Sequence, residues 1–201
     1  VASLEPGWLM TRRSLGTLRI IGGQWRSRLI GFDAEAGVRP TPDRVRQTLF
    51  DWLAPLIEGA SALDLFAGSG ALGFEALSRG AAHASFVEQG ARQAAAIREA
   101  ATKLAAGTRA EIAQTDALAW LRATGRRFDV VFLDPPYGAG LLEPVLAALP
   151  RVLAPTHRIY LEWPAGKPPA LPAGYHLLKE KSAGQVSYGL ATYNAGTASD
   201  H

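Results

Sequence analysis

From Ala60 onward the chain alternates between short apolar runs and helical stretches, and few architectures accept that order. Apolar runs fall at 61–66, 84–88, 109–113, 128–133 and 157–163, with helical stretches at about 71–79, 90–105, 116–123 and 140–150. Strands linked through helices run parallel with right-handed crossovers, which predicts a doubly wound α/β sheet. The end breaks the pattern. Tyr175 to Lys181 and Val186 to Tyr193 read as two strands joined by Ser182-Ala183-Gly184-Gln185, so a terminal antiparallel hairpin is expected.

The first sixty residues follow a different logic. Residues 1–16 show no periodicity and are left unassigned. Thr17 to Ile21 and Arg28 to Phe32 predict a small β-hairpin around Gly22-Gly23-Gln24-Trp25, followed by a rigid loop to Pro42. Asp43 is the expected N-cap of a helix reaching about Leu56. The expected division is therefore a basic hairpin and loop over 17–42, a main domain over 43–193 and a tail over 194–201. Between Glu5 and Asp33 there is no acidic residue, while Arg12, Arg13, Arg19, Arg26 and Arg28 all lie there. Arg39, Arg44 and Arg46 follow. A basic arm of this kind fits a phosphate-backbone partner better than a plain solvated tail.

Hydrophobic residues at 48% and charged residues at 19% of a 201-residue chain suit one globular domain with a full core. No apolar stretch approaches the roughly 18 residues of a membrane span, and no signal-like run follows Arg12 and Arg13, so a cytoplasmic protein is expected. Cysteine is absent, which excludes disulfides, thiolate metal sites and a cysteine nucleophile. The four histidines are scattered, and no metal is expected.

Two segments carry chemistry. Leu63 to Gly73 reads as strand, glycine-rich turn and helix start, with Gly68, Gly70 and Gly73 satisfying G-x-G-x-x-G and Glu88 ending the next strand. Taken literally, that fingerprint is a dinucleotide site. Asp64 argues otherwise, because its carboxylate would face a pyrophosphate unfavourably yet could accept from the ammonium of a methionine moiety. Either cofactor would use Glu88 on ribose hydroxyls, so the fingerprint alone does not decide. Asp116 suits an adenine amino group or a helix N-cap, and Ala117 could offer a backbone NH to the ring.

The second segment is Asp134-Pro135-Pro136-Tyr137, which follows the apolar run Phe128 to Leu133. Two prolines end the strand and remove two donors, so nearby carbonyls stay free to accept. A carboxylate, a free carbonyl and an aromatic ring at the carboxyl edge of a sheet suit a flat base bearing an amino group. Stacking holds the base while two acceptors orient the amine toward an activated methyl. Nothing in this tetrapeptide separates guanine from adenine or cytosine.

Five parallel strands plus a terminal hairpin is the layout of the S-adenosylmethionine-dependent methyltransferase fold. Five segments stand out: Arg19-Ile20-Ile21-Gly22-Gly23-Gln24-Trp25-Arg26, Arg39-Pro40-Thr41-Pro42-Asp43-Arg44-Val45-Arg46, Asp64-Leu65-Phe66-Ala67-Gly68-Ser69-Gly70, Phe132 to Tyr137, and Gly184-Gln185-Val186-Ser187-Tyr188. On these motifs the chain resembles the RsmD family of 16S rRNA guanine-N2 methyltransferases. The resemblance runs from about Leu18 to Tyr193. It implies a mostly parallel seven-stranded sheet, S-adenosylmethionine as cofactor, and methylation of one guanine, conventionally guanine 966, in small-subunit ribosomal assembly.

Carried onto this sequence, Asp134, Pro135, Pro136 and Tyr137 are the expected catalytic residues. Asp64, Phe66, Ala67, Gly68, Ser69, Gly70, Glu88, Gln89, Asp116 and Ala117 are expected to hold the cofactor. Arg39 and Thr41 would close over its methionine end, although Arg39 also suits RNA. RNA would be gripped by Arg19, Gln24, Trp25, Arg26, Arg28, Arg44 and Arg46, and the protein is expected to be a monomer. The rival readings are a DNA adenine-N6 methyltransferase and a non-catalytic RNA-binding assembly factor.

Overall fold

The computed structural model describes residues 15–196. The expectations placed on residues 1–14 and 197–201, including the contribution of Arg12 and Arg13 to the basic arm, lie outside the described residues. The described residues begin with a separate two-stranded hairpin, β1 (Leu15–Arg19) and β2 (Leu29–Asp33), in which Leu15 pairs with Asp33 and Arg19 with Leu29. Helix α1 (Asp43–Ile57) leads into the main sheet.

That sheet contains β3 (Ser61–Asp64), β4 (His83–Val87), β5 (Ala110–Ala113), β6 (Phe128–Leu133), β7 (Leu153–Pro164), β8 (Tyr175–Ala183) and β9 (Val186–Tyr193). Helices α2 (Ala71–Ser78), α3 (Ala91–Lys103), α4 (Ala117–Ala123) and α5 (Leu142–Ala148) connect the parallel strands. The spatial order is β5-β4-β3-β6-β7-β9-β8. Strands β3 to β7 pair in parallel, whereas β9 is antiparallel to both β7 and β8. The order reverses between β3 and β6, and the carboxyl edge beside that switch point is where such sheets bind ligands.

Each face of the sheet packs a core. One holds Leu49, Phe50, Leu53, Phe74, Phe86 and Phe132 beneath α1, α2 and α3. The other holds Leu63, Leu121, Val131, Val145 and Ile159 beneath α4 and α5. The hairpin belongs to the first, since Leu18, Ile20, Trp25 and Ile30 are buried in it. Trp25, expected to contact RNA, is only 3% exposed. An indole that completes a core has no face left to stack on a base.

Strand β1 ends two residues before the expected Ile21 and begins inside the segment left unassigned, and other boundaries differ from expectation for physical reasons. Asp43 is the first residue of α1 rather than its cap: Pro42 occupies the cap position, and the Asp43 carboxylate pairs with Arg46 at 2.5 Å. Strand β7 starts four residues earlier than the apolar run suggested. Phe128 pairs with Leu153 and Val130 with Arg158, so residues 154–157 stand opposite Asp129 alone. Pro155 sits in that bulge, where no ladder hydrogen bond is asked of it. The terminal hairpin turns through only Gly184-Gln185, with Ala183 paired to Val186.

A buried carboxylate locks the N-terminal loop to the domain. Glu75, on α2, is 0% exposed, and its Oε2 accepts from the Ile21 amide at 3.0 Å and the Arg46 guanidinium at 3.3 Å. Its Oε1 accepts from the Gly22 amide at 2.9 Å and Arg79 at 2.8 Å. Ser78 adds to the clamp, its Oγ accepting from the Trp25 amide at 2.9 Å. Arg46, expected at the RNA surface, is 1% exposed and also donates to the backbone carbonyls of Thr41 and Arg19. It is a structural cation, held inside because every donor it turns inward meets an acceptor.

Candidate active site

The carboxyl ends of β3, β4, β5 and β6 open onto one cleft of about 450 Å³. Each strand delivers a carboxylate there: Asp64 ends β3, Glu88 follows β4, Asp116 follows β5 and Asp134 follows β6. The turn after β3 supplies Phe66, Ala67, Gly68 and Ser69, and the loop after β2 brings Arg39 and Thr41 to the same opening. Gln89, Ala117, Pro135, Pro136 and Tyr137 complete the expected set.

Gly70 is the exception, since it does not line the cleft. It forms the αL entry to α2 at φ +77, a conformation that a Cβ would strain. At Gly73 a Cβ would come within 2.2 Å of the Phe86 ring, so that glycine lets α2 pack onto β4. These two glycines build the turn, and the cleft belongs to the residues between β3 and Gly70.

Hydrogen bonds orient three of the carboxylates. Asp64 accepts from the Gly73 amide at 3.0 Å, an orphan donor in the first turn of α2. Glu88 accepts from Gly68 at 2.8 Å and Gly90 at 2.9 Å, one bond to each oxygen. Each oxygen keeps a second lone pair, which leaves a bidentate face for a ribose. Asp116 does serve as N-cap, accepting from Ala119 at 2.8 Å, while still lining the cleft.

The electrostatics favour a cation. Burial pushes Asp64 up to about 8, against the Gly73 amide, with Asp134 and Glu88 adding repulsion. Asp134 is pushed up to about 7, by burial first and by Glu162 second. Four carboxylates around one cleft oppose a pyrophosphate and suit a sulfonium and an ammonium. Among the described residues no cluster of three or more candidate ligands could hold a metal ion.

Tyr137 is 56% exposed at the mouth of the cleft, where its ring can meet a base. Burial, then Glu162 and Asp134, push its hydroxyl up to about 12, so it stays neutral. Of the expected RNA contacts, Arg19, Gln24, Arg26, Arg28 and Arg44 are exposed. Arg28 already donates to the Lys103 carbonyl at 2.7 Å, and Gln24 accepts from Arg109 at 3.3 Å.

The family model described as "Conserved hypothetical protein 95" matches residues 18–192. Ribosomal RNA small subunit methyltransferase D of Escherichia coli K12 is 44% identical over 92% of this chain and 94% of its own length. The chain belongs to the RsmD family. The Haemophilus influenzae member is 41% identical over 90% of this chain and 97% of its own length. Among solved structures, the putative methyltransferase yhhF from E. coli aligns with a TM-score of 0.82 at 42% identity, covering 90% of this chain and all of that one. The Thermus thermophilus 16S rRNA N2 G1207 methyltransferase RsmC, solved with AdoMet and guanosine, aligns with a TM-score of 0.65 over 89% of this chain and 50% of its own. At 19% identity that likeness is one of fold, and the fold is that of S-adenosylmethionine-dependent methyltransferases.

Two carboxylates with buried partners escaped the sequence reading. Glu75 stood out only as the single charge in the apolar helix Ala71–Ser78. Glu162 ends the buried run of β7, and its register beside β6 is what gives it meaning.

Replacing Glu88 with alanine tests the ribose assignment. Losing hydrogen bonds to a charged acceptor costs about 1.5–3 kcal/mol, so the Kd for S-adenosylhomocysteine is expected to rise about 10- to 100-fold by calorimetry. An unchanged Kd would remove Glu88 from the cofactor site.

Proposed function

We propose that this RsmD-family protein uses S-adenosylmethionine to methylate the exocyclic N2 of one guanine in 16S rRNA, acting on small-subunit assemblies. The observation that carries the reading is the placement of Asp134 and Tyr137 together at the mouth of an acidic cleft. The names of the E. coli and H. influenzae relatives support the ribosomal substrate.

Bound in the cleft, the cofactor supplies an electrophilic methyl group on a sulfonium. Asp64, Glu88 and Asp116 are placed to hold its methionine, ribose and adenine parts, respectively. The target base leaves its stack and lies against Tyr137, which recovers about 1–3 kcal/mol of the flipping cost. The Asp134 carboxylate and the Pro135 carbonyl accept from the amino group and point its nitrogen at the methyl carbon. The N–C bond would form as the methyl's bond to sulfur breaks and S-adenosylhomocysteine leaves as a neutral thioether, and Asp134 would stabilise the positive charge building on nitrogen. Held up at about 7, it is also basic enough to receive the proton that the nitrogen then loses. No covalent enzyme intermediate is needed.

The exposed arginines of the hairpin and α1 would track the RNA backbone. Replacing Arg19, Arg26 and Arg28 together is expected to reduce the slope of log K against log salt by about 2–3, at roughly 0.7–0.9 per phosphate contact. An unmoved slope would place the RNA grip elsewhere. The substrate itself is tested by transfer of tritiated methyl to unmethylated small subunits, free 16S rRNA and duplex DNA side by side. Label in the subunits or the RNA and none in DNA is expected; label in DNA alone would favour the adenine-N6 reading.

A further inference from the structure

A carboxylate and a carbonyl at Asp134-Pro135 can grip the amino group of guanine, adenine or cytosine alike. What differs is the ring nitrogen beside that amine. In guanine N1 carries a hydrogen and donates, whereas adenine N1 and cytosine N3 present a lone pair. A second acceptor next to Asp134 would therefore select guanine.

The β6–β7 register supplies one. Phe132 pairs with Tyr160 and Leu133 with Leu161, so the next pair in register is Asp134 and Glu162. Neighbouring strands lie about 4.8 Å apart, and residues in register share a face. The two carboxylates thus leave the sheet edge side by side, on the face that Tyr160 occupies. Tyr160 is 0% exposed, packed between Phe132 and Tyr188 with ring centroids 6.3 Å from each. Its hydroxyl donates to Glu162 Oε2 at 2.9 Å, which fixes the carboxylate while leaving it half-buried.

Glu162 does not line the cofactor cleft, so the proposed cofactor contacts leave it without a task. Its surroundings are nonetheless costly. Burial raises its pKa, opposed only by the Tyr160 hydrogen bond, and it raises that of Asp134 in turn. Tyr137 and Tyr160 are the titratable groups that feel both carboxylates, each held neutral by burial, and no described Lys or Arg lies within salt-bridge distance of either. A pair of buried acceptors without a cation matches a ligand edge made of adjacent donors.

We infer that Glu162 accepts the N1–H of the target guanine while Asp134 accepts from its N2 amino group, making Glu162 the residue that selects guanine. Adenine or cytosine would turn a lone pair toward that carboxylate and leave it desolvated and unpaired. Sites built to hydrogen-bond one group discriminate strongly against ligands lacking it. The inference rests on the guanine-N2 reading above.

The test places 2-aminopurine at the methylated position of reconstituted small subunits, keeping the 2-amino group but replacing N1–H with a lone pair. The wild-type protein is expected to prefer guanine by about 100-fold or more in kcat/KM. Glu162→Gln, whose amide can donate to that lone pair, is expected to lose about tenfold or more on guanine and to shrink the preference below about tenfold. Its Kd for S-adenosylhomocysteine should stay within about twofold, which reports folding. Tyr160→Phe frees the Glu162 carboxylate and should narrow the preference in the same direction. It decides the matter if Glu162→Gln does not fold. A preference unchanged in both variants overturns the inference, as does a variant equally dead on both bases, since that assigns Glu162 to the chemistry. A wild-type product other than N2-methylguanosine removes the guanine reading itself.

Discussion

Asp134→Ala is expected to lower kcat by about 10²–10³-fold while the Kd for S-adenosylhomocysteine changes little. The proposed role of Asp134 is toward the target amine and the charge that builds on it, so its loss would fall on the transition state. In the proposed mechanism the substitution leaves Tyr137 free for the base and Glu88 and Asp116 free for the cofactor. Single-turnover transfer and calorimetry on the same preparation separate the two effects. A variant retaining near wild-type rate would take Asp134 out of the mechanism.

The acid-base behaviour of this residue has a definite sign. In the proposed mechanism the carboxylate is the working form, so transfer should decline as pH falls through about 7, the value to which burial and Glu162 push Asp134. For stability the direction is opposite. A carboxyl whose folded pKa is raised above its ordinary value of 3.8 favours the folded state when protonated, and that contribution is lost as pH rises from about 4 to about 7. Asp134→Asn should therefore abolish most activity and yet raise Tm at pH 8. The site is held in a form that costs the fold something.

Glu75→Ala is expected to cause the largest loss of stability. It strips Arg46 and Arg79 of their shared carboxylate and leaves the Ile21 and Gly22 amides without an acceptor. Breaking a buried pair by removing one partner costs about 3–5 kcal/mol. For a domain of this size that is a fall of roughly 6–20 °C in Tm. Limited proteolysis should show cleavage after Arg26 or Arg28 before the core opens, because the clamp is what seats that loop. A Tm within about 1 °C of wild type, well inside the effect expected from a broken buried pair, would mean the clamp is not holding the hairpin.

The clamp also explains which parts of the molecule were legible in the sequence. Strand and helix positions followed from apolar periodicity, and the four strand-end carboxylates followed from local spacing. Asp64, Glu88, Asp116 and Asp134 each sit directly at the end of a recognisable run, so a linear reading places them at one edge. Burial of a charge is different, because it depends on a partner far along the chain. Arg46 looks like one more surface arginine until Glu75, 29 residues away, is seen beneath it. Trp25 looks like a base-stacking ring until the hairpin folds onto α2 and α3. Glu162 needed the β6–β7 register, and Pro155 disguised the start of β7 because only the bulge accommodates it.

The most direct measurement of the central claim is the identity of the methylated nucleoside. Unmethylated small subunits would be incubated with the protein and tritiated S-adenosylmethionine, and their RNA digested to nucleosides for mass spectrometry. The account expects all label in N2-methylguanosine, from a single position of 16S rRNA. Label in another nucleoside, or none despite measurable cofactor binding, would contradict it.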